Sequence, residues 1–478
     1  MRLAPDRRFL FLVGALLVPL AAAGAALPWL ATVAAAVAGA LAVAAIADAF
    51  LGRRALRGLQ ADVPVLFRLT QDRESALAIR LRNETGTPRR LRLGLAFPRE
   101  FRSPHDDLWV TMPAEATWSR LNWLCTPLKR GRYWLEGVHV ECASPLGLWA
   151  VRAALPARAE LRVYPNLSRE RKRMAAFFLN RGDTGIHAQR QVGRGRDFEK
   201  LREYVAGDSY EDIHWKTTAK RGRPITKVFQ IERTQEVYIV LDASRLSART
   251  AGCPSVVGRL CEAATGPSRQ SRRLTESAYN ADGTEMPSGD ATMLERFVTA
   301  ALLLGLAAEK QGDLFGLVTF SDKVDRFVRA KNGKAHYGVC RDALYTLQPR
   351  TVTPDFDELC AFLRLRLRRR ALLLFLTSMD DPLLAESFTK HIGLISRQHL
   401  VLVNMPRPAG IEPLFAGADV ADADGVYERL GGHVLWQNLR ELERVLSHRG
   451  VSFQLLENET MCADLIAQYL NVKRRQLL

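Results

Sequence analysis

The chain opens with two apolar runs. Phe9 to Leu27 carries no charge, Pro28-Trp29 interrupts, and Leu30 to Leu51 follows with Asp48 as its one charged residue. Each run is about 20 residues, the length of a helix that spans a ~30 Å hydrocarbon layer. A cleaved leader would account for the first run alone, since Arg7-Arg8 precede it and Ala21-Ala-Ala23 resembles a cleavage site. The second run directly behind it argues instead for a two-helix transmembrane hairpin over residues 1–51. Arginines flank the pair: Arg2, Arg7 and Arg8 before it, Arg53, Arg54 and Arg57 after it, and none in the turn. The positive-inside rule then puts both termini and the soluble domains in the cytoplasm, at the inner face of a cytoplasmic membrane.

Beyond a short basic linker, residues 52–62, the pattern changes to short alternating segments that continue to residue 165. Ala76-Leu-Ala-Ile-Arg-Leu-Arg82 and Arg90-Leu-Arg-Leu-Gly-Leu95 alternate as half-buried strands do, with turn chemistry at Asn83-Glu-Thr-Gly86 between them. Further strands are expected at Leu108–Met112, Gly131–Val140, Leu148–Val151 and Glu160–Val163. Short strands with frequent turns predict an antiparallel β-sandwich, immunoglobulin-like, over 63–165. Residues 166–235 are polar and basic. Leu167–Leu179 reads as a helix, Arg181–Asp197 is rich in glycine and charge, and Phe198–Val205 fits a short helix or an extended segment. Gly193-Arg-Gly195-Arg looks superficially like a phosphate loop, but no strand precedes it and no third glycine follows in place.

From Gln235 the rhythm is strand and helix in alternation. Strands are expected at Val237–Leu241, Leu314–Thr319, Val324–Val328, Leu372–Thr377 and Leu400–Asn404. Helices are expected at Leu294–Lys310, Tyr337–Tyr345, Asp355–Arg369, Leu383–Arg397 and Leu439–Leu446. Near-continuous apolar strands such as Leu372-Leu-Leu-Phe-Leu376 mark a parallel sheet covered on both faces, so residues 236–478 form an α/β doubly wound domain. Residues 248–290 break the rhythm. They sit where a short loop belongs, and are expected to be a disordered insertion or a flexible lid.

Composition changes this picture in two ways. A net charge of +17 needs a partner or a surface, and a domain tethered beside an anionic leaflet gains from basic surface directly. Nucleic acid is the lesser alternative, because no zinc-finger, helix-turn-helix or RNP-type cue accompanies the charge. The seven cysteines are scattered and include no CxxC pair, which fits a reducing compartment and excludes a zinc site of usual spacing. No Ser/His/Asp triad can be assembled from the nine histidines by motif.

The candidate chemistry lies where the strand Val237–Leu241 ends on Asp242-Ala-Ser244. Open α/β sheets put ligands at the carboxyl ends of their strands. Around this point the chain resembles the bacterial domain of unknown function 58 family. Three stretches carry the resemblance. The first is Pro127-Leu-Lys-Arg-Gly-Arg-Tyr133 with Ser144-Pro-Leu-Gly-Leu-Trp149, where the family commonly has DPFGLF. The second is Leu201-Arg-Glu-Tyr204, Gly207-Asp208 and Ile213-His-Trp-Lys216, ending in Ala219-Lys220. The third is Val228-Phe, Glu232-Arg233 and Val240-Leu-Asp-Ala-Ser244.

The resemblance implies a von Willebrand factor A-like fold joined to a β-sandwich and an N-terminal membrane hairpin. It implies a non-enzymatic scaffold or adaptor in assembly, maturation or stress response. The implied partners are a MoxR-type AAA+ ATPase, membrane lipids and membrane proteins of the same operon. Arg202, Tyr204, His214, Trp215 and Lys216 are the partner-binding candidates. It also implies a metal ion-dependent adhesion site, which takes Asp-x-Ser-x-Ser, a Thr and a further Asp around Mg²⁺. Asp242 and Ser244 fill the first two positions, and Thr353 is the candidate Thr, with capping of the following helix as its rival role. Leu246 stands at the third position and Ser378 where the last Asp belongs, with Asp380 and Asp381 just beyond. Such a degenerate site holds Mg²⁺ weakly or not at all. Two alternatives remain beside the scaffold: a metal-dependent hydrolase using Asp242, and a basic nucleic-acid-binding membrane protein.

Overall fold

The computed structural model describes residues 2–20, 22, 28–85, 88–113, 117–180, 192–205, 209–230, 235–249, 292–408, 410–415 and 423–475. Nearly all of the expected insertion, residues 181–191 of the glycine-rich stretch and the end of the first apolar run lie outside the described residues. The chain divides into two compact units, Met1–Asn166 and Leu167–Leu478.

In the first unit β1 (Arg2–Pro5) leads into α1 (Arg7–Leu12), which runs on through a π-helical stretch, Val13–Leu17. The second apolar run is α2 (Pro28–Gly52). Within it, Ala31–Gly52 is, among the described residues, the one helical stretch long and apolar enough to cross a membrane. Then follow β2 (Leu59–Asp62), β3 (Leu66–Thr70), β4 (Ser75–Asn83), β5 (Arg89–Leu95), β6 (Phe101–Arg102), β7 (Asp107–Met112), β8 (Trp118–Pro127), β9 (Gly131–Ala143) and β10 (Trp149–Tyr164). The presumed linker thus ends in a strand. Two sheets result, β7-β5-β9-β10-β1 with β3 against β10, and β2-β4-β8-β6. Period-two alternation puts Leu77, Ile79 and Leu81 of β4 in one buried cluster with Leu91 and Leu93 of β5 and Val138 and Val140 of β9. Each such side chain stabilises the unit by about 1.5–3 kcal/mol. The two strands expected around Pro156 are one: β10 continues through a register shift between Pro156 and Ala159, where proline's missing donor is tolerated.

The second unit begins with α3 (Ser168–Asn180) and β11 (Val192–Glu203). Phe198–Val205 is therefore largely strand, not helix. Next come α4 (Trp215–Arg221), β12 (Ile225–Gln230), β13 (Glu236–Asp242), α5 (Met293–Lys310), β14 (Leu314–Phe320), β15 (Val324–Lys331), α6 (Lys334–Leu344), α7 (Phe356–Arg366), β16 (Leu372–Leu376), α8 (Pro382–Ser396), β17 (Leu400–Pro406), α9 (Ala423–His448), β18 (Val451–Leu456) and α10 (Met461–Arg475). β11 and β12 pair as a two-stranded antiparallel sheet, and the main sheet has the order β15-β14-β13-β16-β17-β18. All its pairs are parallel except β14 with β15. Alternate residues of β13 feed opposite faces. Val237, Ile239 and Leu241 pack with α5 and α10, while Tyr238 and Val240 pack with α7, α8 and α9. The chain moves from β13 outward to β14 on one side, then returns to start β16 on the other. That reversal is a topological switch point, and β13 ends at it.

Candidate functional site at the strand tips

Asp242 is the last residue of β13 and is fully buried. One carboxylate oxygen accepts from the Ser244 amide (2.8 Å) and the other from Thr377 Oγ1 at the tip of β16 (2.6 Å). Burial pushes the carboxyl above its ordinary range, and the hydrogen bonds from Ser244 and Thr377 oppose the shift. Ser244, also buried, accepts from the Leu246 amide through Oγ (3.3 Å), and its carbonyl accepts from Ser247 Oγ (2.8 Å). Leu246 is a core residue packed in the same cluster as Tyr238 and Val240. The third position of the loop thus contributes packing and no oxygen.

Thr353 is exposed, on a segment stitched across the tips by Arg350 N to Ala243 O (2.7 Å), Arg245 N to Val352 O (3.0 Å) and Asp355 N to Ser321 O (3.1 Å). It does not cap the next helix. Asp355 does, accepting from the Asp357 and Glu358 amides. Asp380, nearly buried, forms an ion pair with Arg249, and its other oxygen accepts from Ser378 Oγ (3.1 Å). Asp381 caps α8. Among the described residues no group of three or more His, Cys, Asp or Glu side chains is placed to hold a metal. Four of the five described thiols are held as poor nucleophiles: burial raises Cys340, Cys360 and Cys462 to about 12 and Cys125 to about 11.

The partner candidates lie together on the other small sheet. Arg202 pairs with Thr226 across β11 and β12, and the Tyr204 amide donates to Pro224 O (3.0 Å). His214 is the N-cap of α4: its Nδ1 accepts from the Thr217 amide (3.1 Å), with Thr217 Oγ1 2.8 Å from the same nitrogen. That capping accounts for a histidine at this place in the motif. Trp215 (68% exposed) and Tyr210 (74% exposed) face solvent, Tyr210 stacked on Tyr204 at 5.9 Å. Lys216 is exposed beside them. Sequence reasoning missed Arg249, whose loop shows no periodicity, and Thr377, which it read only as the strand's end.

The family described as "Protein of unknown function DUF58" matches residues 200–259 and 280–418. Both matched segments lie within the second unit. The Leu201-Arg-Glu-Tyr204, His214-Trp-Lys216 and Asp242-Ala-Ser244 stretches all fall inside the first matched segment. No curated protein matches the chain. Among solved structures, an aerotolerance-related membrane protein from Bacteroides fragilis NCTC 9343, carrying multiple mutations to serines, is 15% identical over 50% of this chain and 98% of its own, with a TM-score of 0.27. Proximal thread matrix protein 1 from the mussel byssus is 12% identical over 49% of this chain, with a TM-score of 0.23, and the chain spans 46% of its length. The GspB Siglec domain is 9% identical over 23% of this chain, with a TM-score of 0.16, and the chain spans 58% of its length.

Proposed function

We propose that this chain is a membrane-anchored, non-enzymatic scaffold whose DUF58 region, a von Willebrand factor A-like unit, engages a protein partner in the cytoplasm. The observation that carries this reading is the closed strand tip. At the switch point, where a parallel sheet ordinarily takes its ligand, both oxygens of Asp242 are engaged by Ser244 and Thr377, and the nearby Asp380 already has a cation in Arg249. Mg²⁺ takes six oxygens and is held through one or two carboxylates with several waters; here both oxygens of the Asp242 carboxylate are occupied and burial favours its neutral form. The residues present do not fit a resident Mg²⁺, so no metal-assisted step is assigned.

The anchor reading rests on the first unit. β1 brings Pro5 opposite Trp149, and α2 returns Ala45 O to the indole N–H of the same Trp149 (2.8 Å). The chain between leaves and re-enters at one place, which favours an even number of crossings and so the two-span hairpin. The flanking arginines favour the cytoplasm for both ends. Two sheets over one core support the sandwich. The resemblance implies a MoxR-type AAA+ ATPase as partner, and exposed Tyr210 and Trp215, with Arg202, Tyr204 and Lys216, are the surface offered to it.

Binding of the full chain in detergent to a purified MoxR-type ATPase encoded beside it tests the reading. We expect binding that weakens at least about tenfold in Tyr210→Ala/Trp215→Ala, the loss typical of two aromatic anchors. Absence of binding by the native chain would remove the partner.

A further inference from the structure

The loop Ser144-Pro-Leu-Gly-Leu-Trp149 joins β9 to β10, and each residue type in it has a visible cause. Gly147 N donates to Ser144 O (2.9 Å), closing a turn with Pro145 at its second position. Gly147 has φ +72°, open to glycine at little cost. Leu148 is buried, and its carbonyl accepts from Asp6 N (2.9 Å). Trp149 stacks on Phe9 of α1 (5.4 Å) and donates to Ala45 O of α2. Pro145 and Leu146 face outward, Leu146 58% exposed.

The loop is also built around a charge from another element. Asp48, the lone charged residue of the second apolar run, is fully buried beneath it. Its carboxylate accepts from Ser144 Oγ (2.5 Å), Leu146 N (2.9 Å) and Leu148 N (3.1 Å). Gly52, one turn on, lies so close to Ser144 and Val151 that an added Cβ would sit 3.3 Å from each. A carboxylate in an apolar span is expensive unless protein donors satisfy it. Here the hairpin loop supplies them.

Height follows from helix geometry. The 22 residues Ala31–Gly52 extend ~33 Å at 1.5 Å per residue, close to a ~30 Å hydrocarbon core. Asp48 is four residues before that end, ~6 Å along the axis. A loop fastened to Asp48 is therefore drawn down to the boundary between acyl chains and headgroups. Trp149 is the residue type favoured at that level, and Leu10 (58%), Phe11 (73%) and Phe50 (67%) are exposed on α1 and α2, the two helices that Trp149 touches. Exposed Arg7, Arg8, Arg53 and Arg54 accompany them, with Arg8 against Gly147, in reach of headgroup phosphates.

The geometry points to a lipid-docking surface: the Ser144–Trp149 loop is a collar seated in the bilayer interface, fastened through Asp48 and inserting Leu146. This rests on the anchor reading above. It adds that the strand unit is held at a fixed height on the bilayer instead of hanging from a flexible tether.

The test places an environment-sensitive fluorescent amino acid at Leu146 of the full chain, with Val65 (78% exposed) as the control. The chain is reconstituted in phosphatidylcholine vesicles containing phosphatidylglycerol. At 146 we expect blue-shifted emission and quenching by a lipid nitroxide near the headgroup at least about threefold stronger than by aqueous iodide, as for an interfacial apolar residue. Position 65 shows the reverse. Asp48→Ala releases the loop and returns position 146 to iodide while the chain still floats with vesicles. A chain that floats, yet is quenched by iodide at 146 as at 65, overturns the collar and leaves the anchor. Shielding of 146 from both quenchers means a protein cover and also overturns it. Failure to float overturns the anchor itself.

Discussion

Asp242 carries a stability cost that its pH dependence exposes. Its folded pKa is raised by burial above the ordinary 3.8, so its favourable contribution is complete below the unfolded value and is lost as pH rises through the folded one. At neutral pH, Asp242→Asn should therefore fold at least as stably as the native chain, with its advantage fading toward pH 4. The amide can accept from the Ser244 N–H and donate to Thr377 Oγ1. Urea unfolding at pH 7 and pH 4 measures this; a loss of about 2 kcal/mol, the scale of a hydrogen bond to a charged group, would contradict it. His399 runs the opposite way. It is buried, both ring nitrogens lack a partner, and burial lowers its pKa from 6.5. The unfolded chain takes up a proton that the folded chain resists, so stability falls as pH drops below about 6.5. His399→Leu should flatten the pH profile of the unfolding midpoint between pH 7 and pH 5; an unchanged slope would assign the sensitivity elsewhere.

Elements with a single dominant period were legible. The strands of the parallel sheet from β13 to β17 were read within a few residues because buried strands are continuous apolar runs. Elements near the C-terminus were not. α9 spans 26 residues, but Gly431-Gly432 in its middle hides the helical pattern and left only Leu439–Leu446 visible. β18 (Val451-Ser-Phe-Gln-Leu-Leu456) and α10 were missed. The amphipathic run after β18 carries none of the family motifs. What fixes α10 is non-local: buried Asp313 accepts from Tyr469 OH, from Lys473 Nζ (2.9 Å) and from the Gln235 amide (3.2 Å). Tyr469→Phe should cost about 1–3 kcal/mol, the range for a buried carboxylate losing a donor, read by urea unfolding; no change would mean the pin is idle. Gly316 on β14 is a second such contact, since an added Cβ would sit 2.4 Å from the Tyr238 ring and 2.9 Å from the Ala330 amide nitrogen. Gly316→Ala should lose about 1–3 kcal/mol through overpacking, and a variant as stable as the native chain would contradict that packing.

At the scale of the molecule, apolar length made the candidate span Ala31–Gly52 readable without any knowledge of the fold. The Asp48 collar was not readable, because its donors lie about a hundred positions away on a loop whose sequence looks like an ordinary turn. The strand-tip site was half legible: Asp242 and Ser244 announced themselves, whereas the Arg249–Asp380 pair that fills the neighbouring charge appears only when the loops are assembled. The account's central claim is that this tip is closed, so that the DUF58 region works by binding protein rather than a cation. Thermal unfolding of the full chain in detergent, titrated with Mg²⁺ and Mn²⁺, tests it most directly. A resident ion at a hundred times its dissociation constant stabilises the fold by about 3 kcal/mol. The account predicts no shift in the unfolding midpoint at any concentration. A saturable rise that disappears in Asp242→Asn would contradict it.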